Sequence, residues 1–241
     1  IVIPAYNEEK YLHRCLSSLT RQSFKQFEVI VVDNNSTDKT ADVARSYGAR
    51  VVAEQKQGMI PARERGFSEA RCDIIAKTDA DTIVPPDWVG KIYRLFKRNP
   101  QMVALTGNFS FQETNEAQGK LLEVIFDAYC KQLKLIMGHF PLNGPNYAIR
   151  KSAWEKIKVH KNDKLVHEDL DLSCHLFELG EIKYMRILKV SYSLRRWKRK
   201  FWYTMFEYSR RTFRTTLIHH KRYKQIKNIV RRKLPKIRKS A

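Results

Sequence analysis

The chain has 241 residues, enough for one large α/β domain or a domain with an appendage, and its hydrophobic share of 43% is ordinary for a globular protein. No run approaches the ~18 apolar residues that a membrane span needs, and the four cysteines (Cys15, Cys72, Cys130, Cys174) form no C-x-x-C pair. They read as buried, reduced thiols of a cytosolic protein. The net charge of +21 is uneven: residues 195–241 hold 18 Lys/Arg against Glu207 alone, and residues 1–194 hold 28 Lys/Arg against 24 acids. The basicity therefore belongs to the tail, and such a block seeks anionic surfaces.

Ile1-Val2-Ile3 reads as a buried strand stopped by Pro4. The sequence starts inside that strand, so the true N-terminus is expected upstream, with a leader or anchor there left open. Glu8 to Thr20 follows as a helix with Leu12, Cys15, Leu16 and Leu19 on one stripe. Glu28 to Val32 is a strand apolar on both faces, as in a covered parallel sheet. It runs into Asp33-Asn34-Asn35-Ser36-Thr37-Asp38, a loop rich in turn and cap residues, and then a helix ending at Gly48. Arg50 to Ala53 is a third strand, and Pro61 suits the first turn of the next helix. Asp73 to Thr78 is a fourth strand, Trp88, Ile92, Leu95 and Phe96 mark a helix, and Met102 to Thr106 is a fifth strand.

This alternation predicts an α/β fold with a mostly parallel sheet and helices on both faces. Ligands of such sheets bind outside the carboxyl ends of the strands, where Asn7, Asp33 and Asp79/Asp81 all fall. After Gly107 the alternation breaks. Ala117 to Met137 is a long helix with Leu122, Ile125, Phe126, Tyr129, Leu133 and Ile136 on one face. The loop Asn143-Gly144-Pro145-Asn146 and a helix from Glu168 to Leu179 follow. The second half is expected to pack onto the first as one domain.

Asp79-Ala80-Asp81, just past a buried strand, is a natural place to hold a divalent cation against a diphosphate. A carboxylate about 90 residues later, in His167-Glu168-Asp169-Leu170-Asp171, can take a proton from an attacking hydroxyl. Together they suggest group transfer from a metal-bound nucleotide donor. Acids in the first turn of a helix are also favoured by the helix dipole, which accounts for one acid but not for three after His167.

Ile3-Pro4-Ala5-Tyr6-Asn7-Glu8-Glu9, Val32-Asp33-Asn34-Asn35-Ser36-Thr37-Asp38, Asp79-Ala80-Asp81 and Glu168-Asp169 occur in an order that resembles the family 2 glycosyltransferases, inverting enzymes of the GT-A (Rossmann-like) fold. The resemblance covers roughly residues 1–195. It implies a GT-A domain over 1–194, with a nucleotide-sugar-binding half at 1–107 and an acceptor half at 108–194. It also implies a donor site of Pro4, Ala5, Tyr6, Glu8, Asp33, Asn34, Arg63, Asp79, Ala80 and Asp81. Many members carry Asp where this chain has Asn34, and Asn can both donate to and accept from a base edge. Asp81 resembles the direct ligand of Mg²⁺ or Mn²⁺, and Asp79 the residue of the ribose and metal shell. Asp169 resembles the general base. Glu168, Asn143, Gly144 and Asn146 resemble the acceptor side, although Gly and Asn equally suit a purely structural turn. Arg63 is equally readable as a surface helix charge.

Arg195-Arg196-Trp197 resembles the R-W element of processive members, but the preceding Gln is absent, so processive synthesis is not expected. A donor-diphosphate role is open to Arg195 or Arg196. The implied activity is metal-dependent transfer from a UDP-, GDP- or dTDP-linked sugar to a hydroxyl of a glycan or lipid-linked acceptor, in cell-envelope glycan or glycolipid synthesis.

The basic tail, 195–241, predicts an amphipathic helix over Phe201 to Leu217, with Trp202, Met205, Phe206, Phe213 and Leu217 near one face. Such a helix would lie in the plane of a membrane or pack on the domain. A cytoplasmic protein, peripheral at the inner face of the cell membrane, is the expectation. The competing class is a nucleic-acid- or membrane-binding scaffold without catalysis. That reading leaves the crevice acids unexplained, and nucleic acid is not the expected partner.

Overall fold

Ile1, Ile3 and Ala5 belong to one buried cluster and Val2 to the other, and Val31 likewise faces away from Ile30 and Val32. This period-2 split is what a sheet covered on both faces requires. The computed structural model describes residues 1–159, 166–195, 203 and 206–219.

Its strands are β1 (Val2–Ala5), β2 (Ile30–Asp33), β3 (Arg50–Ala53), β4 (Ile74–Lys77), β5 (Met102–Phe111), β6 (Tyr147–Arg150) and β7 (Glu181–Tyr192). The helices are α1 (Glu9–Thr20), α2 (Thr40–Ser46), α3 (Met59–Glu69), α4 (Trp88–Arg98), α5 (Glu116–Met137), α6 (Lys151–Trp154) and α7 (Glu168–Phe177). Residues 206–219 form a last helix, α8.

The sheet order is β3-β2-β1-β4-β6-β5-β7. Strands β1 to β4 are mutually parallel, β6 runs antiparallel between β4 and β5, and β7 is parallel to β5. Helices α1, α2 and α4 cover the face of Ile3 and Val31. Helices α3, α6 and α7 cover the face of Val2 and Val32. One sheet thus draws strands from both halves of the sequence, and the expected α/β architecture is the one observed. The carboxyl ends of β1, β2 and β4 open on the same edge.

The departures lie after Gly107. Strand β5 continues to Phe111, and the twelve-residue β7 was not anticipated. Its sequence, Glu181 to Tyr192, mixes charged and apolar residues without strict alternation: it lies at the sheet edge, and register shifts interrupt its ladder with β5. On α5 the buried residues are Asp127, Cys130, Leu133 and Met137, while Ile125 and Ile136, expected on one face with Leu133, are exposed. Three cysteines are buried as expected, and Cys72 is exposed.

Helix α8 docks by its polar side. Thr215 is buried and donates to Arg211 O, His167 N donates to Thr215 Oγ1 at 2.8 Å, and Arg211 Nη2 donates to Val166 O at 2.7 Å. Phe206, Phe213 and Leu217 are left exposed on the other side. Lys200, Trp202, Met205, Arg196, Trp197 and the stretch 221–239 lie outside the described residues. Among the described residues no helix is long and apolar enough to cross a membrane.

Candidate active site

The loop after β1 and the loop after β2 are bonded to each other. Asn7 N donates to Ser36 Oγ and Thr37 N donates to Asn7 Oδ1 at 2.8 Å. Glu9 N donates to Asp38 Oδ2, and Lys39 N donates back to Glu9 Oε2 at 3.0 Å. Asn7 holds a left-handed backbone (φ 53°), which Asn tolerates better than most residues. Much of the motif is therefore spent on fixing two strand ends. Pro4 and Ala5 sit in β1 opposite Val32 and Asp33, Tyr6 is exposed on the rim, and Asp33 Oδ1 accepts from Ser36 N.

Asn34 is buried and committed elsewhere. Its Nδ2 donates to Glu54 O and Lys56 O, and its Oδ1 accepts from Gly58 N at 2.8 Å. The amide clasps the loop before α3, which takes both of its N–H groups and one of the two lone pairs of its oxygen.

Asp79, Gly144 and Asp169 converge. Gly144 carries no side chain, and the point where a Cβ would stand is 2.9 Å from Asp169 Oδ2 and 3.8 Å from Asp79 Oδ2. Lys77 Nζ, buried, donates to Asp79 Oδ1 and to Gly144 O at 2.8 Å. Burial alone would push Lys77 down, but Asp79 and Asp169 outweigh it and the ammonium keeps its charge. Sequence reasoning passed over Lys77. Its signal was a lysine ending the apolar run Ile74-Ile75-Ala76, because a charge on a covered strand needs a partner.

Asp169 is buried at the start of α7, and its carboxyl is pushed up, by burial first and by Glu168 next, against Lys77 and Arg63. Its Oδ1 accepts no hydrogen bond among the described residues. Arg63 is not a surface charge: it is fully buried in α3, donates from Nη1 to Glu168 O at 2.9 Å and lies 3.8 Å from Asp169 Oδ1. It braces the start of α7 from behind. Glu168 is paired with Arg211 of α8, and although burial raises its pKa, His167, Arg211 and Arg63 hold it at about 2.

Asp81 and Glu8 share one guanidinium. Arg195 Nε donates to Asp81 Oδ2 at 2.8 Å, its Nη2 bonds Glu8 Oε1, and the group lies 3.9 Å over the Tyr11 ring. Asp81 is pushed up to about 6 by burial and then by Asp79 and Glu8, against the pull of Arg195. Glu8 is likewise raised, chiefly by burial. Ala80, between the two acids, is buried in the core beneath α1.

Asn143 and Asn146 form the frame of the loop around Gly144. Asn146 accepts from Trp88 Nε1 at 2.9 Å and donates to Asn108 O and Leu188 O, while Asn143 donates to Gly107 O. With both amides turned inward, Gly144 is the part of the loop that faces the carboxylates.

Residues 1–157 match the family described as "Glycosyl transferase family 2". An uncharacterized glycosyltransferase of Haemophilus influenzae is 28% identical over 84% of this chain and 84% of its own. The poly-beta-1,6-N-acetyl-D-glucosamine synthase of Staphylococcus epidermidis is 26% identical over 76% of this chain, which spans 47% of that protein. The chain spans 20% and 35% of two further curated relatives. Among solved structures, the mannosyltransferase PcManGT of Pyrobaculum calidifontis, in complex with GDP-Man and Mn²⁺, superposes with a TM-score of 0.63 at 17% identity, covering 79% of this chain and 55% of that one. That likeness concerns the fold, and the family match carries the assignment: the chain belongs to glycosyl transferase family 2, a family of glycosyltransferases.

Proposed function

We propose that the chain is a metal-dependent, inverting glycosyltransferase that moves a sugar from a nucleotide-sugar to a hydroxyl of a glycan or lipid-linked acceptor, in cell-envelope glycan or glycolipid synthesis. The observation that carries this reading is the convergence of Asp79 and Asp169 on Gly144, at the carboxyl edge of the sheet. One carboxylate then stands on the donor side and the other on the acceptor side of one narrow gap. In the reaction the acceptor oxygen bonds the anomeric carbon as the bond to the diphosphate breaks, and Asp169 takes the hydroxyl proton. Its raised pKa makes it a better base than an exposed aspartate. Asp79 is steadied by Lys77, and Glu168 and Gly144 line the acceptor side.

The donor set of Asp79 and Asp81 fits a hard divalent cation. The ligands are oxygens, Asp81 is buried, and burial with the neighbouring Asp79 and Glu8 pushes Asp81 up, which marks a place short of positive charge. Arg195 supplies that charge here. A bound Mg²⁺ or Mn²⁺ would neutralise charge on the departing nucleoside diphosphate. The mannosyltransferase with GDP-Man and Mn²⁺ supports a nucleotide-sugar and a metal, and the base remains UDP, GDP or dTDP.

We also propose contact with the inner face of the cell membrane. Helix α8 docks by Arg211 and Thr215 and leaves Phe206, Phe213 and Leu217 outward. Tyr129 Oη lies 3.4 Å from Thr212 Oγ1, which sets α5 beside it with Leu121, Val124 and Ile125 also exposed. Apolar side chains on a strongly basic segment suit an anionic bilayer surface.

The test is calorimetric titration of UDP-, GDP- and dTDP-sugars with and without Mn²⁺, on the parent, Asp81→Asn and Asp169→Asn. One donor class should bind with Mn²⁺ only. Asp81→Asn should lose that binding, and Asp169→Asn should keep it while transfer falls about 10²–10⁴-fold. No donor binding, or equal binding by all three proteins, sinks the assignment.

A further inference from the structure

Asp171 follows Asp169 by two residues, which turns it about 200° round α7 and away from the crevice. His175 is one turn further on the same side, and His219 of α8 meets them both. His219 Nε2 is 2.8 Å from Asp171 Oδ1, and His175 Nε2 is 3.6 Å from the same oxygen. One ligand atom from each of the three residues lies within 4.8 Å of the other two. The site is enclosed: the side chains are 3%, 15% and 9% exposed for Asp171, His175 and His219.

We propose that Asp171, His175 and His219 bind a transition-metal ion of the Zn²⁺ type, distinct from the cation of the catalytic carboxylates, and that the ion fastens α8 to α7. Zinc bonds of ~2.0–2.1 Å in a tetrahedron place neighbouring ligand atoms about 3.3 Å apart, and the two measured separations bracket that value. Two imidazoles with one carboxylate suit zinc and its neighbours, whereas Mg²⁺ prefers oxygen alone. The ligands come from two helices separated by 48 residues, so the ion would close a long loop. Its consequence is local to the site: α8 also carries Arg211 to Glu168 and Thr215 to His167, so locking its register holds the partners of the base helix.

The proposal does not depend on sugar transfer. Untagged full-length chain is stripped with chelator, held in excess Mg²⁺ and titrated with Zn²⁺ by calorimetry, with bound metal counted by mass spectrometry. One Zn²⁺ per chain is expected, with a rise in Tm. His219→Gln and His175→Gln should each weaken Zn²⁺ by at least about 100-fold, the upper end of what losing a mere outer-shell partner costs, and should abolish the Tm gain. Asp171 is buried and its substitution risks the fold, so the two histidine variants carry the test, with circular dichroism as the check on folding. Asp81→Asn should leave Zn²⁺ binding unchanged. No zinc bound, or binding that survives His219→Gln and disappears in Asp81→Asn, overturns the proposal and leaves His219–Asp171 a plain hydrogen bond.

Discussion

Gly144 lies against Asp169 so closely that any Cβ at that position would stand 2.9 Å from Asp169 Oδ2 and 3.5 Å from Lys77 Nζ. The missing side chain is what lets the Asp169 and Asp79 carboxylates face each other across the gap. Gly144→Ala should therefore displace Asp169 by a few tenths of an ångström or more. Transfer is expected to fall about 100-fold, the scale of a small misplacement of a reacting group, with donor affinity nearly unchanged. An alanine variant with parental kcat would show that the gap has slack.

Arg63 binds the start of α7 from its buried side, through Glu168 O and the Asp169 carboxylate. Removing its charge strands an acid away from water. Arg63→Met should cost about 3 kcal/mol of stability in urea unfolding. Arg63→Lys keeps the charge but loses the fork that reaches Glu64 and Glu168 together, so it should recover only part. Full stability in the methionine variant would mean that the bracing is not needed.

Asp81 makes stability depend on pH in a definite direction. Its folded pKa of about 6 lies above the ~3.9 of an unfolded aspartate, so the fold holds the proton longer than the unfolded chain does. Its contribution is full below about pH 4, is lost as pH rises towards about 6, and is flat above. Without metal, the stability of the parent relative to Asp81→Asn should fall by about 2–3 kcal/mol between pH 4 and pH 7. Parallel curves for the two proteins would count against this sign.

Arg195 competes for the same carboxylates as a cation would, since it bonds both Asp81 and Glu8. Arg195→Gln should tighten donor-free Mn²⁺ binding about tenfold, the effect of one removed charge at a partly exposed site. Weaker Mn²⁺ binding in the variant would show that the guanidinium helps to assemble the site.

The outward face of α8 predicts vesicle binding. Phe213→Glu with Leu217→Glu should lower partition onto anionic vesicles by about tenfold or more, since each side chain offers roughly 1.5–3 kcal/mol of apolar burial. Binding should also weaken with salt. Partition unaffected by the double change would leave the basic segment alone as the attachment.

Local pattern was enough for the first half of the chain. The strand at Arg50 to Ala53 has the expected bounds, β1, β2, β4 and α1 lie within a few residues of theirs, and Pro61 sits in the first turn of α3, because alternation, helical stripes and turn residues are carried by neighbours in sequence. The same locality placed Asp79, Asp81 and Asp169 as acids at element ends. It did not reach contacts made across the sheet. Lys77 meets Gly144 67 residues later, and Arg63 meets Glu168 105 residues later, and no periodicity records such pairs. Asn34, Asn143 and Asn146 showed their chemistry in the sequence but not its direction, since an amide can serve a ligand or a backbone carbonyl equally well. Helix α8 makes the same point at larger scale. Its apolar stripe was legible, but that this stripe turns outward was decided by the buried partners waiting at Glu168, His167 and Asp171, whose desolvated polar groups had to be met.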